Sequence, residues 1–154
     1  MAHWLFKTEP DTYGIEDLKR ERNAAWDGIR NYQARNRLRD EVHKGDRVLI
    51  YHSSCAEPAI VGLAEVSQEA HPDPSQFDPD SAGHDPKSDP DQPRWVQVKL
   101  KYLETFATPL TLKAVKADPR LAELELVTRA RLSIQQVDDK AYQYILKKTG
   151  SRHG

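Results

Sequence analysis

Apolar and polar residues take turns along HWLFKT (3–8), a period of two that predicts a short strand, with Trp4 and Phe6 against Leu5 and Lys7. Pro10 ends it, and GIEDLKRER (14–22) predicts a brief helix with Ile15 and Leu18 inward and its charges outward. Ala34, Leu38 and Val42 recur every four residues, which predicts an amphipathic helix over 33–43. The preceding WDGIRN (26–31) carries Gly28 and no period, and is expected to be a loop leading into that helix. KGD (44–46) is a turn, and RVLIYHS (47–53) a β-branched and aromatic strand. AIVGLAEVSQEA (59–70) is a second such strand, with Gly62 marking a bulge or a close backbone approach. In RWVQVKLKYLETF (94–106) Val96, Val98, Leu100 and Tyr102 share one face, and Trp95, Gln97, Lys99 and Lys101 the other. TLKAVKADPRLAELEL (111–126) reads as one or two short helices around Pro119, and RLSIQQV (131–137) as a last strand. Asp138 is placed to cap a closing helix through KAYQYILKK.

Residues 71–93 break the pattern. Six of the ten prolines and six aspartates fall there, so neither a helix nor a central strand can run through it. A linker and a long ordered surface loop both fit this composition; its place between two strands of one expected sheet favours neither. The strands are interrupted by helices but are too few for a doubly wound sheet. The expected fold class is α+β: a small β-barrel or strongly curved mixed sheet flanked by helices.

At 154 residues the chain has the size of a single domain with a proper core. Its 38% apolar and 31% charged residues suit a compact cytoplasmic protein. It contains no apolar run of the roughly 18 residues a membrane-crossing helix needs, and MAHWLFKTEPDTY lacks the pattern of a secretory signal. The one cysteine, Cys55, gives no disulfide framework and fits a reducing compartment. A formal net charge of −1 leaves a local basic patch possible.

Candidate chemistry begins with YHSSC (51–55). Along a strand His52 and Ser54 share a face and Cys55 does not, a poor geometry for a nucleophile and its base, and no G-x-S-x-G elbow surrounds the serines. The histidines lack metal-ligand spacing, the loop aspartates lack the order of a calcium loop, and no phosphate-cradling glycine motif is present. Recognition is the remaining theme. In WDGIRNYQARNRLR (26–39) Arg30, Arg35, Arg37 and Arg39 stand against one acid, Asp27, and guanidinium forks suit phosphate. Trp26, placed in a loop, can offer an indole face, while Asn31, Gln33 and Asn36 both donate and accept, as a base edge requires. The competing assignment puts Trp26 in the core and pairs the arginines with Asp40 and Glu41 on a solvated helix face. Composition leaves the two level.

That stretch, together with WLFKTEPDTY (4–13), GDRVLIYHSS (45–54), IVGLAEV (60–66), QFDP (76–79), DPKS (85–88), PRWVQVK (93–99) and RLSIQQV (131–137), runs nearly end to end and resembles the EVE-domain family. The resemblance implies a PUA-like fold, in the wider group that holds the YTH and ASCH domains, over residues 1–150, with 151–154 a C-terminal tail. It implies a nucleic-acid-binding module, not an enzyme, that takes a modified base in an aromatic cage: a modified cytosine in DNA, or a modified base in RNA. By the resemblance, Trp26 is a wall of the cage and Asn31, Thr8 and Glu9 face the base. Tyr51, His52 and Ser53 form another side, Phe77 and Asp78 lie on the loop above, and Lys7, Arg30, Arg35, Arg37 and Arg39 hold phosphates. No cofactor or metal is expected, and the chain is expected to be a cytoplasmic monomer with nucleic acid as its partner. The family pattern often has asparagine where this chain has Ser54, tyrosines near Gly83 and His84, and proline at Gln136. Two other classes stay open: an enzyme acting on a modified base, with His52 or Glu9 as general acid or base, and a small-metabolite or protein-interaction module. Turnover separates the first, and affinity insensitive to salt the second.

Overall fold

The computed structural model describes residues 2–153. In chain order its elements are β1 (His3–Thr8), α1 (Ile15–Glu21), β2 (Asn23–Trp26), α2 (Tyr32–Asp40), β3 (Arg47–His52) and β4 (Ala59–Pro72). A 3-10 turn over Pro74–Phe77 precedes β5 (Val96–Thr111), which is followed by α3 (Leu112–Ala117), α4 (Glu125–Thr128), β6 (Ile134–Val137) and α5 (Asp139–Lys148). The strands form one mixed sheet in the order β2-β5-β4-β3-β1-β6, left open with β2 and β6 at its edges. Only β1 and β3 run parallel; every other neighbour is antiparallel.

The period of two sends alternate side chains of the central strands into two cores, one on each face. Trp4, Phe6, Val48 and Ile50 pack with Ile15 and Leu18 of α1 and Ala34 and Leu38 of α2. Leu5, Leu49 and Tyr51 pack instead with Val115, Leu126, Ile145 and Leu146 of the later helices. In β5, Val98 and Leu100 enter the first core, with Val96 and Tyr102 against it, as the alternation predicts. Phe106, further along the same strand, enters the second core. Register shifts between β4 and β5 allow this change of face, since each bulge bends the strand and re-aims the side chains beyond it. Gly62 sits at one of them: a Cβ there would lie 2.5 Å from Ile15 Cδ1 and 2.7 Å from the Glu104 carbonyl oxygen.

Two expectations are corrected. Trp26, expected to open the loop over 26–31, instead ends a strand over residues 23–26 that pairs with β5, Trp26 opposite Val98. The last strand begins at Ile134, since Leu132 N–H turns back to Arg129 O. The tail is tied down over 151–153: Glu104 of β5 accepts from Ser151 Oγ at 2.6 Å, Arg152 N–H at 3.0 Å and His153 Nδ1 at 2.9 Å. Residues 1 and 154 lie outside the described residues.

The proline-rich segment is ordered from within. The Gln76 side chain, fully buried, donates to Asp73 O and Trp95 O, and accepts from Trp95 N–H and Ser88 Oγ. One amide thus ties both ends of the loop to the start of β5.

Candidate functional site

The parallel pairing of β1 and β3 brings their C-terminal ends side by side, with Lys7 opposite Tyr51 and Thr8 opposite His52. Four of the expected base-facing residues, Thr8, Tyr51, His52 and Ser53, therefore meet at one end of the sheet. Ser53 N–H donates to Thr8 O at 2.9 Å and closes the pair. Thr8 Oγ1 donates to Tyr13 O at 2.6 Å, folding back the turn that carries the exposed Glu9. His52 Nε2 accepts from Ile15 N–H at 3.1 Å, so the proton of its neutral ring sits on Nδ1. Burial lowers its pKa, which keeps it neutral. The same effect lowers the pKa of Lys7 and raises that of Tyr51. The Lys7 ammonium lies 5.6 Å from the centre of the Tyr51 ring.

Trp26 is 7% exposed and belongs to the first core, the competing assignment drawn from composition. Phe6 is tilted against it at 6.2 Å and Tyr13 meets it edge-on at 5.9 Å. The loop begins after it, with Gly28 at φ +77°. There Asp73 is the hub: its side chain is fully buried and accepts from Gly28 N–H, Arg30 Nη1, Ser75 N–H and Ser75 Oγ. Burial alone would raise its pKa, but these hydrogen bonds prevail and hold it below the usual aspartate value. The neighbouring Asp27 is pushed the other way, first by burial and then by the charge of Asp73. Asn31 caps α2, its Oδ1 accepting from Ala34 N–H at 3.0 Å. Phe77 is half-buried and Asp78 exposed at the end of the 3-10 turn.

The expected phosphate set divides. Arg30 directs all five N–H groups inward, to Ile29 O, Asp73, Ser75 Oγ and twice to Gly83 O. Arg37 forms a fork on Glu125 at 2.6 and 3.0 Å and reaches Ile134 O at 3.2 Å. Arg35 donates to Asn36 Oδ1 and Arg94 O. Arg39 is exposed and bonded to the adjacent Asp40. The Lys7 ammonium donates to Ala130 O. Gly83 fits its place because a Cβ there would lie 2.7 Å from Arg30 Nη2.

Two features carry no role in the sequence reading. Tyr32, 52% exposed, stacks on Trp95 at 4.9 Å, with the Arg35 guanidinium 4.8 Å from the Tyr32 ring centre. Aromatic and arginine were both visible within 26–39, but their partner Trp95 comes from β5's approach. Arg129 and Arg131 are both exposed beside the first turn of α2, facing Gln33 across a groove of about 420 Å³. Nothing in the local sequence marks them.

An open curved mixed sheet with helices on both faces, polar strand ends gathered by a parallel pair and an ordered loop beside an arginine-rich helix define a PUA-like α+β domain. The EVE domain model matches residues 2–148, and the chain belongs to the EVE-domain family. Human thymocyte nuclear protein 1 is 35% identical over 164 residues, which take in 94% of this chain and 72% of that protein. A solved hypothetical protein from Leishmania major is 38% identical with a TM-score of 0.94, over 100% of this chain and 98% of the other. The human THYN1 protein, solved in complex with 5-methylcytosine containing DNA, is 34% identical with a TM-score of 0.93, over 99% of each chain. Among the described residues no helix is long and apolar enough to cross a membrane.

Proposed function

We propose that this chain binds DNA carrying a modified cytosine and reads the modified base without turning it over. The observation that carries this is its likeness, over 99% of its length, to human THYN1 held with 5-methylcytosine containing DNA. The base enters beside the parallel strand ends, where Thr8, Tyr51, His52 and Ser53 meet. Tyr13 and the adjoining Trp26 supply the aromatic wall. Asn31 offers its amide N–H₂ to the base, since its oxygen is held by the helix, and Glu9 offers an acceptor at the mouth. Phe77 and Asp78 stand over the entrance, and Arg39 and Lys7 face the flanking phosphates. Of the two general acids or bases open to an enzyme, His52 and Glu9, His52 already accepts from Ile15 N–H through Nε2 and its ring is held neutral. That speaks against turnover through His52.

Burying one methyl group contributes about 0.8 kcal/mol, a preference of about fourfold for the methylated base from burial alone. The test is an anisotropy panel of short DNA duplexes, DNA single strands and RNAs, each with cytosine or 5-methylcytosine. The expected result is methylated DNA bound at least about fourfold more tightly than its unmethylated twin. Equal affinity for both forms throughout the panel would sink the reading, and a preference confined to RNA would move it to that nucleic acid. Trp26→Ala would open a core cavity costing about 3–5 kcal/mol, so Trp26→Phe is the informative variant: folded, with a reduced preference. A modified product recovered by mass spectrometry would make the chain an enzyme.

A further inference from the structure

The arginines that sequence would assign to phosphate are largely occupied, which raises the question of where the flanking backbone lies. Two grooves compete. The larger, about 960 Å³ along α5, carries Arg120, Lys140 and Lys147 but also Glu123, Asp138 and Asp139, so its charges cancel. The smaller, about 420 Å³, lies between Gln33 of α2 and Thr128, Arg129, Ala130, Arg131 and Leu132, and no acid lines it.

Around the smaller groove one carboxylate serves several donors. Glu125 takes the fork from Arg37 and the N–H of Gln136 at 2.6 Å, which leaves Arg129 a long 3.8 Å contact. Among the described residues no salt bridge reaches Arg131. The groove is also joined to the end of β1. Lys7 N–H donates to Ser133 O at 3.0 Å, and the Lys7 ammonium donates to Ala130 O. A chain of phosphates leaving the strand ends past Lys7 would thus run directly onto Arg131 and Arg129.

We propose that the groove between the first turn of α2 and residues 128–132 carries the phosphodiester backbone next to the recognised base, with Arg131 and Arg129 as its phosphate contacts. This rests on the DNA-binding reading above and extends it to a surface that reading does not use. Guanidinium groups with open donor edges bind phosphate oxygens in pairs, and such contacts are indifferent to base identity. Gln33, exposed at the opposite wall, adds a neutral donor to the same backbone.

The experiment measures the affinity of wild type, Arg131→Gln, Arg129→Gln and the double variant for methylated and unmethylated DNA across a salt series. Each lost phosphate contact lowers the slope of log affinity against log salt by about 0.9 for a duplex, or about 0.7 for a single strand. At 0.1 M salt this is a loss of about eightfold per arginine, equal for methylated and unmethylated DNA. Lys147→Gln, in the larger groove, is expected to leave the slope unchanged. Thermal unfolding checks that the variants, all at exposed positions, remain folded. A methylated-DNA preference in wild type with an unaltered slope in the double variant overturns the groove alone. A slope that falls in Lys147→Gln but not in the arginine variants does the same and points to α5. Wild type that binds no DNA at all overturns both this proposal and the reading it rests on.

Discussion

Residues 26–39, through Gln33, and residues 128–132 border one groove and teach opposite lessons about charge. The first is the most arginine-rich stretch of the sequence, yet Arg30 and Arg37 are enclosed by acceptors and act as struts. The second is a short turn with two arginines and no local peculiarity, and there the guanidinium groups face solvent. Charge counted along a chain measures what is present. Whether it is available depends on partners that come from elsewhere: Glu125 stands 88 residues from Arg37, and Asp73 stands 43 from Arg30.

Replacing a strut should therefore cost stability. Arg30→Ala leaves the buried carboxylate of Asp73 without its counter-charge and frees Gly83, and is expected to destabilise by about 3–5 kcal/mol in denaturant unfolding. Limited proteolysis should then cut within 71–93, which stays intact in wild type. If Arg30→Ala unfolds at the wild-type midpoint, the strut assignment is wrong.

Arg37→Ala comes next. Its pair with Glu125 is partly shielded, with side chains 12% and 20% exposed, and its loss is expected to cost about 2 kcal/mol at neutral pH. Arg39→Ala, on the same helix but in solvent, should leave the unfolding midpoint where it is. The fork of Arg37, foremost, holds Glu125 below the usual glutamate pKa. A depressed carboxyl contributes stability above its unfolded pKa and loses it as pH falls through the folded one. The gap between wild type and Arg37→Ala should thus be full at neutral pH and close as pH drops below about 4.3, read from unfolding curves across that range. A gap that persists undiminished in acid would exclude the ion pair as its source.

The smallest effect tests a different kind of legibility. Ser54 has φ +53°, a left-handed conformation that asparagine accepts more readily than serine. The asparagine that the family resemblance leads one to expect at this position would suit that backbone geometry. Ser54→Asn should raise stability by about 0.5 kcal/mol with DNA affinity unchanged. A gain in affinity instead would give that side chain a contact role.

What the sequence showed well was whatever a local period encodes. The alternation of β1 and β5 and the Asp138 cap, whose Oδ1 accepts from Ala141 N–H, stand as expected; of the four-residue repeat, Ala34 and Leu38 lie in α2, while Val42 enters the same core just beyond its end at Asp40. β2 was hidden because NAAW has no alternation of its own; pairing with β5 makes it a strand, and that pairing draws Trp26 into the core. Thr8, Tyr51, His52 and Ser53, which the family motifs singled out, lie together at one end of the sheet because β1 and β3 pair in parallel. Hydrogen-bond partners were beyond reach, since a guanidinium's neighbours are fixed by the fold and not by adjacent residues.

The Tyr32–Trp95 stack gives the molecule a built-in optical gauge. Of the three tryptophans, Trp4 is sealed in the first core with its indole N–H on Asp46, and Trp26 is packed at the end of β2. Trp95 alone is bound to the proline-rich loop, through its indole N–H on Asp85 at 2.8 Å, and lies against an exposed ring. Its emission reports how that loop is seated, so the arrival of a ligand over the loop can be followed without attaching any dye.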